Sequence, residues 1–156
     1  MTPVARTLLV VHHTTSPATQ ELLEAALDGT RAEGIVGVDV LVRPALAATV
    51  SDALAADGFL LGTPANIGYM SGALKAFFDA VYYPTLTANE GAPYGLYVHG
   101  NNDTAGAVRA VESIAQGLGW KRVGEPVSVI GAPSRDDREA VWNLAATVAA
   151  TLAETG

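Results

Sequence analysis

The chain has no cysteine. That absence removes disulfides, thiol nucleophiles, cysteine-ligated zinc and iron–sulfur clusters at once. Any redox chemistry must then reside in a bound organic group. Long apolar runs are missing too. Leu8 to Val11 and Phe59 to Leu61 fall far short of the ~20 residues that span a bilayer. The opening residues, Met1-Thr2-Pro3-Val4-Ala5-Arg6, hold no apolar stretch of signal-peptide length with a small-residue cleavage site. A cytoplasmic location is the expectation. Positive charge is scarce: nine Lys and Arg against sixteen Asp and Glu give a net charge of −7, and no basic cluster exceeds Lys121-Arg122. Nucleic acid and anionic membrane surfaces are poor partners for such a chain.

What is present suits one folded domain over 1–156. At 156 residues with 49% hydrophobic composition, the chain can bury a real core. Repeats, low-complexity stretches and linkers are not seen, and strand-like runs alternate with helical ones. That alternation predicts a parallel sheet with helices on both faces. Thr7 to Val11 reads as a buried central strand, and Val38 to Val42 as an edge strand. Gly58 to Thr63, Tyr94 to His99 and Val127 to Ile130 complete five strands. Helices are expected over about Ala18–Glu33, Ser51–Ala56 and Ser71–Tyr82, then on the Val108, Val111, Ile114, Ala115, Leu118 stripe. A last helix is capped by Ser134 with Asp137 in capping-box position.

Two loops carry the chemistry. The first strand opens into His12-His13-Thr14-Thr15-Ser16-Pro17-Ala18-Thr19-Gln20. Free backbone N–H groups at a helix start favour a phosphate, and hydroxyls add donors without fixed charge. Pro17 removes one N–H. The same residues would also serve as an ordinary N-cap. The loop has neither Gly-x-Gly-x-x-Gly nor Gly-x-x-x-x-Gly-Lys, so a dinucleotide Rossmann site and a P-loop both fail. The acidic cluster of a receiver domain is missing as well. No spacing motif supports a zinc site from His12, His13 and His99, and no metal is expected.

The other loop is Gly62-Thr63-Pro64-Ala65-Asn66-Ile67-Gly68-Tyr69-Met70-Ser71-Gly72-Ala73-Leu74-Lys75-Ala76-Phe77-Phe78-Asp79. It leaves a buried strand and enters a helix with Leu74, Phe77, Phe78 and Val81 on one face. It resembles the ring-binding loop of the flavodoxin-like NAD(P)H-dependent FMN reductase family at Thr63, Pro64, Gly68, Met70, Ser71, Gly72, Leu74, Lys75, Phe77 and Asp79. The resemblance implies a flavodoxin-like doubly wound α/β fold, strand order 2-1-3-4-5, with its switch point between strands one and three.

It also implies an FMN site. Thr14, Ser16 and Thr19 fall at the hydroxyl positions of the flavodoxin phosphate signature, with His13, Thr15 and Ala18 beside them. Pro64, Ala65, Asn66, Ile67, Gly68, Tyr69 and Met70 would lie along the flavin ring, Ile67 or Tyr69 covering a face. His99, Gly100, Asn101, Asn102 and Gly106 would form the third contacting loop. No protein residue is expected to be catalytic, because the flavin carries the chemistry. The acidity would either serve solubility alone or also lower the flavin potential.

The implied activity is an FMN-binding, NAD(P)H-dependent reductase of quinone-type acceptors. The alternatives are a flavodoxin-like one-electron carrier and a non-catalytic flavin-binding member. Partners would be a small-molecule electron acceptor or a redox protein. The Tyr82–Gly91 loop is a candidate for dimer contacts or the acceptor pocket, with Tyr83 and Leu86 exposed. Trp120 is expected to pack on the sheet rather than on a flavin. Lys75 and Asp79 are spaced to pair at i,i+4.

Overall fold

The computed structural model describes residues 5–153; the reading of residues 1–4 as leaderless lies outside them. β1 (Arg6–His12), β2 (Val38–Pro44), β3 (Gly58–Asn66) and β5 (Pro93–Gly100) form a parallel sheet in the order β2-β1-β3-β5. β6 (Lys121–Arg122) and β7 (Val127–Ile130) both pair parallel with β5, at its start and its end. Together they occupy the place of the expected fifth strand, broken by Gly124 in the left-handed region (φ +73) and by Pro126. β4 (Tyr69–Met70) turns back on β3 as an antiparallel hairpin. The five strands expected are thus seven segments, on the expected 2-1-3-4-5 plan.

Helices α1 (Pro17–Thr30) and α5 (Arg135–Leu152) cover one face; α2 (Val50–Ala55), α3 (Gly72–Thr85) and α4 (Ala105–Gly117) cover the other. Strand alternation feeds both layers. Leu8 and Val10 join Leu22, Leu23, Ala26, Val141 and Val148, while Leu9 and Val11 join Leu74, Phe77, Phe78 and Val111. Each fully buried Leu or Phe in these layers contributes roughly 1.5–3 kcal/mol. The hydroxyls at helix starts are used as their positions dictate: Ser134 and Asp137 form the expected capping box, and Thr49 and Asp52 form another.

One close fit ties the central strands together. Gly62 on β3 pairs with Tyr97 on β5, and a Cβ at Gly62 would lie 2.1 Å from a Tyr97 ring carbon. Only glycine leaves room for that buried ring. Complete burial pushes the Tyr97 phenol well above its ordinary pKa of 10.0, so it stays neutral. Among the described residues no helix is long and apolar enough to cross a membrane.

Candidate functional site

The parallel strands end together on one side of the sheet, and the chain leaves them in loops of small residues. A cavity of about 480 Å³ opens there. Its walls are Thr15, Ser16, Pro17, Ala18 and Glu21 from the start of α1, Pro64, Ala65 and Asn66 from the end of β3, His99, Gly100 and Asn101 after β5, and Gly131, Ala132 and Pro133 after β7. Three sequence-distant loops expected to share a ligand therefore do meet. Gly131-Ala132-Pro133 and Glu21 were not foreseen. The signal for the former is topological: it is the loop at the carboxyl end of the last strand.

The first loop is tightly self-bonded. Ser16 caps α1, its Oγ accepting from Thr19 N at 3.1 Å. Thr19 Oγ1 accepts from Ser16 N at 2.9 Å and Thr15 N at 3.0 Å, and donates to Ser16 O at 3.1 Å. Thr19 is 2% exposed. Pro17 sits at the first helical position, where its missing N–H costs nothing and its fixed φ suits the helix. Thr14 Oγ1 bonds His12 Nδ1 at 2.8 Å. The three hydroxyls expected to face a phosphate are all held inside the chain here. The N–H groups of Thr14 and Ala18 have no partner among the described residues. His13 N, by contrast, donates to Gly62 O at 3.0 Å. His12 is held below its ordinary pKa of 6.5 by burial first and by neighbouring His13 second.

The β3 extension is a hairpin, not an open loop. Ala65 pairs with Met70 and Asn66 with Tyr69, leaving Ile67 (φ +49) and Gly68 (φ +73) as the two turn residues. Positive φ at both central residues is the signature of a type I′ turn. Gly68 accepts it freely; Ile67, β-branched, does not. Ile67 is nonetheless fully exposed, Tyr69 is 41% exposed, and the Met70 side chain lies in the core at 2%. Thr63 Oγ1 donates to Pro64 O at 2.8 Å and accepts from Ser71 N at 3.0 Å, and Ser71 Oγ caps α3 through Leu74 N at 3.2 Å. Lys75 pairs with Asp79 on the surface of α3. The hairpin leans on α4, where a Cβ on Gly106 would fall 1.9 Å from Gly68 O. Gly106 therefore packs backbone against backbone.

His99 closes the far wall. It is 8% exposed, and its Nε2 lies 2.8 Å from Gly131 O. A carbonyl only accepts, so Nε2 carries the proton of that bond. Gly131 N donates back to Gly100 O at 2.9 Å, and Arg138 donates to Pro133 O at 3.0 Å. Asn101 and Asn102 are exposed, and Asp103 Oδ1 accepts from Ala105 N at the start of α4. The cavity lining contains no lysine or arginine, and one carboxylate, Glu21. A second cleft of about 530 Å³ between α1 and α5 shares Glu21 and is walled by Glu24, Asp28, Arg135, Arg138, Glu139 and Trp142. It lies on the outer faces of two helices, away from the strand ends, with six charged side chains around Ala25 and Trp142.

A sheet-end cavity with small walls and backbone donors, in an order that switches between β1 and β3, is the ligand position of open α/β folds. The sequence profile of NADPH-dependent FMN reductase matches residues 15–133. The chain belongs to that family. Within its curated relatives, a flavodoxin of Aquifex aeolicus is 35% identical over 74 residues, 47% of this chain and 39% of that protein's length. The chain thus matches less than half of that relative. Among solved structures, a flavodoxin from the domain Archaea superposes with a TM-score of 0.80 at 16% identity, covering 94% of this chain and 98% of that one. The WrbA-like flavodoxin of Agrobacterium tumefaciens gives 0.77 at 19%, covering 95% and 98%. At such identities these two similarities establish the fold alone, and they agree with the family assignment.

Two expected features lie away from this cavity. Trp120 stacks on Phe59 with centroids 3.8 Å apart and 6% exposure, at the opposite end of β3. The Tyr82–Gly91 segment is there too: α3 runs on to Thr85 through Pro84 in its last turn. Asn89 Nδ2 then donates to Ala53 O and Ala56 O, closing the end of α2. That segment is far from the cavity, so it does not build an acceptor pocket beside it. Tyr83 and Leu86 are exposed as expected, at 80% and 38%.

Proposed function

We propose that the cavity binds FMN and that the protein is an NAD(P)H-dependent oxidoreductase passing electrons to a quinone-type acceptor. The observation that carries this reading is the meeting of the α1 start, the β3 hairpin, the post-β5 loop and Gly131–Pro133 around one small-walled cavity. The residues fit such a cofactor. Ala65, Gly100, Gly131 and Ala132 leave space for a flat ring, and Asn66 and Asn101 offer amide donors and acceptors. The unpaired N–H groups of Thr14 and Ala18, at the positive end of α1, suit a phosphate in a lining without cations. Ser16 and Thr19 would reach it by exchanging their capping bonds for bonds to its oxygens. FMN, when bound, supplies the hydride and electron chemistry; the chain binds it, orients it and limits water.

Titration of purified protein with FMN, riboflavin and FAD, read by flavin fluorescence, tests the reading. Binding of FMN with riboflavin much weaker supports the phosphate assignment. Absence of binding by any flavin, oxidised or reduced, overturns the cofactor. Ser16→Ala with Thr19→Ala should weaken FMN more than tenfold, the scale of two lost charge-assisted bonds. Unchanged affinity in the folded double variant moves the phosphate elsewhere.

A carrier reading is favoured by one observation, the curated relative's designation as a flavodoxin. Catalytic NADH or NADPH oxidation with a quinone separates the two: an enzyme turns over, and a carrier only exchanges electrons with a protein partner.

A further inference from the structure

His12 is the last residue of β1, and its backbone is held on both sides. It pairs with Pro44 of β2 and Gly62 of β3, and its carbonyl accepts from Ala45 N at 2.7 Å. Strand alternation puts its side chain on the face of Val10, toward α1 and α5. His12, Gly62 and Tyr97 form one row across three strands. Gly62 offers no side chain in that row, and the hydroxyl end of Tyr97 lies over it, where a Cβ would collide with it. A half-buried imidazole is thus seated on fixed backbone beside the start of α1.

One ring atom has a defined partner: Nδ1 lies 2.8 Å from Thr14 Oγ1. Among the described residues Thr14 Oγ1 meets no other group. Thr19 Oγ1, by contrast, spends its proton on Ser16 O and accepts from two backbone N–H groups. A threonine hydroxyl has one proton and two lone pairs. If Thr14 gives its proton to Nδ1, only lone pairs remain for a phosphate, and these repel its oxygens. If Nδ1 carries a proton and donates, the hydroxyl proton is free for the phosphate. Burial first and His13 second hold His12 below its ordinary pKa, so at neutral pH the free ring is mostly neutral and has a single proton to place.

We propose that His12 is a positioning residue for the phosphate: its Nδ1–H donates to Thr14 Oγ1 and turns the threonine hydroxyl onto the phosphate of the bound flavin. The inference rests on the FMN reading and deepens it. Thr14 directly precedes Thr15 in the cavity wall, and its own N–H has no partner among the described residues, so hydroxyl and amide can serve one oxyanion together. The residue that decides how the hydroxyl points lies one layer behind it, on the strand, and need not touch the ligand.

Parallel titrations of the purified protein with FMN and riboflavin, read by flavin fluorescence, test it. His12→Leu should weaken FMN about tenfold, the scale of one hydrogen bond to a charged group, and leave riboflavin affinity unchanged. His12→Asn sets an amide N–H near the place of Nδ1 and should recover most of the loss. In a Thr14→Val background His12→Leu should cost nothing further, because its partner is gone. Nitrogen NMR of the FMN complex should show His12 Nδ1 protonated, the signal being assigned by its loss in His12→Asn. Wild-type protein that binds FMN while His12→Leu binds it equally well overturns the proposal and leaves the FMN reading standing. So do equal losses for FMN and riboflavin, additive losses with Thr14→Val, or an unprotonated Nδ1 in the complex. Wild-type protein that binds no flavin removes the FMN reading and this inference with it.

Discussion

At the amino end of the sheet, Trp120 lies face to face on Phe59, with Phe78 and Tyr94 tilted against it at 6.1 Å, and Asn89 ties the neighbouring loop to two carbonyls of α2. At the carboxyl end the same strands finish in Pro64, Ala65, Gly100 and Gly131, around open space. One end is filled by large rings and the other is kept empty by small residues. On the proposed reading, stability and binding lie at opposite ends of the same strands, so each should be open to perturbation without the other.

The largest expected effect falls at the filled end. Trp120→Ala should cost about 3–5 kcal/mol in urea denaturation, yet leave flavin affinity of the folded fraction unchanged. Trp120→Phe should recover most of the loss, because the indole N–H has no hydrogen-bond partner to forfeit. A Trp120→Ala protein of normal stability, or one with altered flavin affinity, would break the separation.

Gly106→Ala probes the boundary between the open end and its support. The added methyl must displace the Gly68 carbonyl, at a cost of about 1–3 kcal/mol. Flavin affinity should fall together with stability here, in contrast to Trp120. Unaltered affinity would mean that the hairpin takes no part in the site.

Ile67→Asn sharpens the comparison further. Asn-Gly is the preferred type I′ pair, so relieving Ile67 of its left-handed backbone should stabilise the protein by about 1 kcal/mol. A gain in stability with a loss in flavin or acceptor binding would identify the Ile67 strain as retained for the site. The smallest effect is His12. Its folded pKa lies below the ordinary 6.5, so the unfolded chain binds the proton more readily as pH falls through and below that value. Stability should be full above it and decline on acidification. His12→Asn should flatten that decline in denaturation curves measured at several pH values.

Much of the fold is legible in the sequence because its signals are periodic. Val141, Leu144, Ala145, Val148 and Leu152 announce the buried face of α5, and Ser134 with Asp137 announces its start. The hairpin is hidden because its first turn residue is Ile67, the wrong chemistry for a turn that the packing of Gly68 on Gly106 enforces. β7 is the expected Val127–Ile130 strand, but β6 is hidden because Lys121 and Arg122 are both exposed and show no alternation. The fourth wall of the cavity is invisible for a different reason: Gly131, Ala132 and Pro133 bear no functional side chain, and topology alone brings them there. The first loop is ambiguous by nature. Serine and threonine at this spacing cap a helix or hold a phosphate with the same atoms, and the capped arrangement is the one observed.

The placement of β3 between β1 and β5 has a kinetic consequence. Its partners are distant in sequence, Leu8 meeting Gly58 and Phe59 meeting Tyr94, whereas the turn from Asn66 to Tyr69 is local. Closing long loops must precede any reward from the parallel ladder, which slows folding. The hairpin beside the cavity, local though it is, needs the packing of Gly68 on Gly106 to hold its turn, so it and the cavity it borders are expected among the last elements to form during refolding.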